Sequence, residues 1–163
     1  MGEIADLLER FRRGAELVAV VTTGAAGPEL DFSPGPQQWT VRQIVGHLAD
    51  SEIVTADRLR RVIAEENPTL MAMDEKAWAE KLDYGRRRFS QMVETFRRIR
   101  AENFELLNGL AEETFQRPGT HSERGQVTLL DLLRIYTEHG ENHARQIRTV
   151  RDAYKQARAA ASS

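Results

Sequence analysis

The sequence predicts an all-α protein built as a four-helix bundle. Three observations carry that expectation. Apolar residues recur at helical spacing over four long stretches, capping signals precede two of them, and no run alternates apolar and polar at the period of a strand. With 163 residues the chain is long enough for one domain with a sizeable core. That domain is expected over residues 1–157, with a frayed tail over 158–163.

The first helix is expected over residues 2–23. Its Ile4, Leu7, Leu8, Phe11 and Val18 share one face, and Gly24 and Gly27-Pro28 stop it. These residues lack the basic start and apolar run of a leader peptide. A Pro- and Gly-rich loop leads to Thr40, an N-cap with Gln43 at capping-box spacing, and a second helix to about residue 66, ahead of Pro68. A connecting segment over 67–84 holds one short helix near 74–82. A third helix covers 84–110, and a loop with Pro118, Gly119 and Gly125 follows. Thr128, with Asp131 three residues on, caps a fourth helix running to about residue 154. The two capped helices echo each other in sequence, which suggests that they meet near the same end of the bundle.

Hydrophobic residues make up 40% and charged residues 29%, with a net charge of −2, as in an ordinary soluble globular chain. No basic stripe is interleaved with aromatics, so nucleic acid is not an expected partner. No segment approaches the ~18 uninterrupted apolar residues of a membrane span, and the chain reads as cytoplasmic. Cysteine is absent. That rules out disulfides, thiolate metal sites and a cysteine nucleophile, so any metal rests on His, Asp or Glu and any thiol chemistry needs an external small thiol.

The chemistry-bearing feature is the placement of three histidines. His139 and His143 lie four apart on the fourth helix, which stacks their imidazoles on one face. His47 lies at the edge of the apolar stripe of the second helix. Together they can form an open three-nitrogen site for a divalent transition metal, Zn or Ni first, with Fe or Mn as alternates. Glu52, Asn142 and Gln146 are candidates to orient a ligand ring or the substrate from a second layer, Glu52 and Gln146 being the candidate catalytic positions. Gly140 lies mid-stripe, where another helix or a ligand can approach closely.

Glu52 and Arg100 both fall on core faces, and each buried alone would be costly, so they are expected to pair. His121 is expected to order its loop through backbone bonds. Asp50 phases outward to solvent. Trp39 anchors the start of the second helix, Trp78 packs the connecting segment, and Arg86 to Arg88 read as a solvated helix start. The plain alternative for His139 and His143 is a polar groove with local hydrogen bonds; for His47 it is a satisfied histidine at a helix interface.

Trp39-Thr40, then Gly46-His47-Leu48-Ala49-Asp50-Ser51-Glu52, then Thr120-His121-Ser122-Glu123-Arg124-Gly125-Gln126-Val127-Thr128-Leu129, then His139-Gly140-Glu141-Asn142-His143-Ala144-Arg145-Gln146-Ile147, resemble the DinB superfamily and within it the YfiT-type branch. The resemblance covers nearly the whole chain. It implies an up-down-down-up four-helix bundle with a long crossover between the second and third helices, a metal on His47, His139 and His143, and a homodimer. Characterised relatives are thiol-dependent S-transferases or isomerases that use thiols such as bacillithiol or mycothiol, and others are hydrolase-like. The functional expectation is thus a metal-dependent S-transferase or hydrolase acting on a small molecule. Two alternatives stand beside it: a non-catalytic stress-response or binding protein with a structural metal, and an all-α interaction module acting through a dimer face.

Overall fold

The computed structural model describes residues 2–163, and its order is α1 (Gly2–Thr22), α2 (Val41–Ala64), β1 (Thr69–Leu70), α3 (Glu75–Lys81), α4 (Phe89–Asn108), β2 (Pro118–His121), β3 (Gly125–Thr128) and α5 (Leu129–Ala161). Both expected caps form as reciprocal pairs. The Thr40 hydroxyl accepts from the Gln43 N–H at 3.1 Å while Gln43 Oε1 accepts from the Thr40 N–H at 2.9 Å. Thr128 and Asp131 repeat the arrangement at 3.1 and 2.9 Å. Each box satisfies donors that a helix start leaves without a partner.

Two apolar clusters fix the direction of the four long helices. One gathers Val18 and Val21, Val41 through Ala49, Met92 and Phe96, and Ala144 through Val150. The other gathers Leu7 and Phe11, Leu59 and Val62, Leu107, and Leu129 through Leu133. The late part of α1 thus packs with the early parts of α2 and α4 and the later part of α5. Helices α1 and α5 run one way and α2 and α4 the other, which is the up-down-down-up order. Parallel α2 and α4 oblige residues 65–88 to cross the bundle between them. The antiparallel pairing of α2 and α5 also corrects one expectation: their Thr-capped starts lie at opposite ends.

The four helices are tied at the centre by one side chain. Arg100 of α4 donates from Nε and Nη2 to the two Glu52 carboxylate oxygens of α2, both at 2.9 Å. Its Nη1 reaches the Phe11 carbonyl of α1 at 2.9 Å and its Nη2 the Tyr136 carbonyl of α5 at 3.3 Å. Phe11 and Phe96 flank the guanidinium, with ring centroids 4.0 and 5.0 Å from Cζ. Asn103 completes the shell by donating to Glu52 Oε2 at 2.9 Å. The pair is only 1% and 2% exposed. Two glycines make room for it: a Cβ on Gly14 would lie 2.6 Å from Arg100 Nη1, and one on Gly140 would lie 3.3 Å from it.

Four further features depart from the sequence reading. A three-stranded sheet forms, with β1 parallel to β2 and β2 antiparallel to β3. Strands of two and four residues are too short to show a period of two, and β2 and β3 turn through Gly125 at φ +78°. Helix α5 continues to Ala161, so residues 158–161 are helical rather than frayed; Ala157, Ala159, Ala160 and Ala161 are the strongest helix formers. Helix α4 begins at Phe89, since Tyr84–Arg86 form a separate 3₁₀ turn entered through Asp83 at φ +49°.

The last departure is Asp50, which is buried rather than solvated. Every residue from Val45 to Glu52 is buried, because the crossover covers the α2 face that the bundle leaves free. The Tyr84 ring lies where a side chain on Gly46 would be, 2.5 Å from its Cβ position. Arg87 donates to Asp50 Oδ1 at 3.0 Å and packs its guanidinium 5.7 Å from the Tyr84 ring centroid. Arg87 is therefore a partner within the fold, while Arg86 and Arg88 are exposed as expected.

Replacing Arg100 with Leu strands the Glu52 carboxylate in the core. The expected loss is about 3–5 kcal/mol of unfolding free energy. Glu52→Leu together with Arg100→Leu is expected to recover much of that loss. Urea denaturation of the two variants beside the wild type checks both.

Candidate metal centre

Helix α2 carries His47 about two turns after its cap, and α5 carries His139 and His143 mid-length, opposite it. The antiparallel crossing brings the three rings together. His139 Nε2 lies 2.9 Å from His47 Nε2 and 3.1 Å from His143 Nε2. One nitrogen from each ring lies within 4.8 Å of the other two, the one such metal-competent group of His, Asp or Glu among the described residues. Nitrogens bound to one cation at about 2.0–2.1 Å stand roughly 3 Å apart, so the spacing fits a shared ion.

The electrostatics suit the same role. Burial, followed by the neighbouring His143, lowers the His47 pKa to about 3. Burial, then His143, His47 and Arg100, lowers that of His139 to about 2. His143 is lowered too, chiefly by burial, with its bond to Gln146 and the Glu75 carboxylate acting the other way. All three rings are neutral at pH 7, the state that donates a lone pair to a metal. Converging lone pairs repel unless a proton or a cation lies among them, and burial disfavours the proton.

Ring orientation has two sources. His143 Nδ1 lies 2.7 Å from Gln146 Oε1; the amide oxygen can only accept, so Nδ1 carries the proton and Nε2 faces the other two rings. His47 Nδ1 is buried and has no protein hydrogen-bond partner, and its ring is held by packing against Trp39 at 5.0 Å between centroids. Trp39 also stacks on His143 at 6.4 Å and an interplanar angle of 17°. The residue that anchors the start of α2 is thus also a wall of the centre.

The other candidates separate cleanly. Gln146 holds the His143 ring through its bond to Nδ1. Both Glu52 oxygens are taken by Arg100 and Asn103, so Glu52 reaches the histidines only through Arg100, beside Gly140. Asn142 is exposed and pairs with Arg145, away from the centre. His121 orders its loop as expected, its Nδ1 accepting from the Glu123 and Arg124 N–H groups at 3.1 Å each.

His121 also lines a cleft of about 140 Å³ beside His139, with Arg58, Tyr136, Met73 and Glu75. Arg58 Nη1 donates to the Tyr136 hydroxyl at 2.6 Å. Sequence reading assigned neither residue to the site. A signal was present: Arg58 lies eleven residues after His47, nearly the same helical face, and Tyr136 three before His139.

An antiparallel α2/α5 pair offering three neutral imidazole nitrogens beside a cleft has the make-up of a metal-binding bundle. The sequence profile of the DinB superfamily matches residues 5–147, and the chain belongs to that superfamily. It is 34% identical over 119 residues to a "Putative metal-dependent hydrolase" of Oceanobacillus iheyensis, covering 73% of this chain and 69% of that one. It is 33% identical over 110 residues to the "Putative metal-dependent hydrolase YfiT" of Bacillus subtilis, covering 67% and 62%. The latter match thus spans less than two thirds of that relative's length. A solved structure of Bacillus subtilis YfiT, described as "a probable metal-dependent hydrolase with an unusual four-helix bundle topology", superposes with a TM-score of 0.84 at 26% identity over 90% of this chain and 85% of that one.

Two outcomes follow from this geometry. The native rings resist protonation, whereas unfolded histidines take up protons below about pH 6.5. Stability of metal-free protein is therefore greatest above that pH and falls as pH drops through it, by up to about 1.4 kcal/mol per pH unit for each ring. Thermal melts of chelator-treated protein from pH 8 to 5 are expected to show this decline, and a shallower one in His139→Gln. Replacing Gln146 with Leu frees the His143 ring and is expected to weaken metal affinity about 10–100-fold in a metal-buffered titration.

Proposed function

We propose that this protein is a metal-dependent enzyme acting on a small molecule, with hydrolysis as its reaction. The observation that carries the reading is His139, whose ring belongs both to the three-nitrogen group and to the wall of the adjoining cleft. The hydrolase names of the relatives support it. Three protein ligands fit a catalytic metal better than a structural one, which ordinarily takes four. Zn or Ni suits the nitrogen set, with Fe or Mn as alternates.

A divalent cation bound there would supply a Lewis acid that acidifies water and polarises a substrate oxygen. The chain's own residues do the rest. His47, His139 and His143 present unprotonated nitrogens, Gln146 fixes one ring, and Trp39 shields two from water. The Tyr136 hydroxyl accepts from Arg58, which leaves its proton free to be donated to a substrate oxygen in the cleft.

Transfer to an external small thiol is the second reading. It is supported by the family resemblance and by the lack of any cysteine in the chain. The same resemblance supports a homodimer, which light scattering tests.

Elemental analysis of protein purified without added metal, beside His143→Ala prepared identically, tests the reading. Near-stoichiometric metal in the wild type is expected, with loss of both metal and activity towards a panel of small esters and amides in the variant. Wild-type protein that also refuses added metal sinks the proposal. Metal that affects only thermal stability, with no ester, amide or thiol substrate turned over, would instead favour a structural ion in a binding protein.

A further inference from the structure

The cleft beside His139 contains a cation for which the fold supplies no anion. Arg58 of α2 is 8% exposed. Its Nη1 donates to the Tyr136 hydroxyl and its Nη2 to the Met71 carbonyl, while its Nε is buried without any partner. Among the described residues no carboxylate pairs with it. The contrast with Arg100 is direct, since that guanidinium has Glu52 on both prongs. A guanidinium is a permanent cation in proteins, and a buried one without a counter-charge is costly. Such a cost is retained where a ligand supplies the missing charge.

The surroundings narrow the ligand. His121, which lines the same cleft, is pushed toward its neutral form by burial and by Arg58 and Arg124, and an imidazole in either state offers no negative charge. Two carboxylates, Glu75 and Glu123, also line the cleft, but both are exposed to water and leave the buried guanidinium uncompensated. They would repel a dianion more than a single negative charge. Leu132, Ile135 and Met73 give the cleft apolar walls, and its volume of about 140 Å³ suits a small group.

We propose that Arg58 is the anchor for a carboxylate on the substrate, setting an apolar, monoanionic small molecule in the cleft with its reactive end toward His139. The inference rests on the reading of that cleft as the substrate site. The fork of Arg58 has N–H donors left after Tyr136 and Met71 are satisfied, and a carboxylate accepts from such a fork at two oxygens. Tyr136, bonded to the same guanidinium, couples the anchor to the turn that carries His139.

Calorimetric titration of the full chain with benzoate tests this, with benzamide as its uncharged counterpart and inorganic phosphate as a more highly charged anion. Wild type and Arg58→Gln are compared, each after chelator treatment and again after metal loading. Wild-type protein is expected to bind benzoate in both metal states, roughly tenfold or more tighter than benzamide or phosphate, and Arg58→Gln to lose that preference. Should Arg58→Gln fail to fold, the Arg58 Nε–H resonance of wild-type protein decides, with a clear shift expected on adding benzoate and none on adding benzamide. Equal binding of benzoate and benzamide, tighter binding of phosphate, or an unmoved Arg58 resonance overturns the proposal. So does a preference that survives in Arg58→Gln, or benzoate binding that needs the metal, which would put the carboxylate on the cation. Protein that takes no metal yet binds benzoate through Arg58 sinks the metal-enzyme reading alone. Metal-loaded protein that turns over esters without a carboxylate preference sinks this one alone.

Discussion

The bundle is organised around the bidentate pair of Arg100 and Glu52. An ion pair 1–2% exposed survives only if every remaining donor and acceptor near it is satisfied. Here that requirement recruits the Phe11 and Tyr136 carbonyls, Asn103, and the missing side chains of Gly14 and Gly140. Each of the four long helices must stand at a set distance from one guanidinium. Two apolar clusters supply the bulk of the burial, but clusters of Leu, Val and Ile tolerate sliding, whereas a fork bonded on four sides does not. The pair selects one register among the many that the apolar faces alone would accept.

The three-histidine cluster inherits that register. Gly140, against which Arg100 lies, is the residue after His139, and the Tyr136 carbonyl that Arg100 holds is one turn before it. A slip of α5 by one residue would turn His139 and His143 about 100° away from His47. The polar core thus serves the site through geometry, by fixing which face of α5 meets α2. Glu52, which its position alone suggests as a helper in the chemistry, acts one step back through this arrangement.

Much of this was legible in the sequence because it rests on local rules. The four long helices follow from apolar spacing, the starts of α2 and α5 from Thr-x-x-Gln and Thr-x-x-Asp, and the three histidines from helical phase. The Glu52–Arg100 pair could be anticipated from two charged residues on core faces. What escaped reading depends on segments meeting in space. The strands β1 to β3 are defined by one another across some fifty residues, and no two-residue strand leaves a periodic trace. Asp50 phases outward on α2, and only the crossover laid over that face buries it and brings it Arg87. Arg58 shares a face with His47, but its partners Met71 and Tyr136 lie on either side of the chain's midpoint and meet it only in space.

One separation along the chain has a further consequence. His47 and His139 stand 92 residues apart in sequence and 2.9 Å apart in space. A cation held by both is a reversible cross-link across more than half the chain, comparable in topology to a disulfide closing a loop of about that length, which removes on the order of 4–5 kcal/mol of chain entropy from the unfolded state. The chain has no cysteine with which to make such a staple covalently. Metal supply would then set how long a folded molecule persists, and scarcity would loosen the bundle along the seam between α2 and α5, where the three histidines meet.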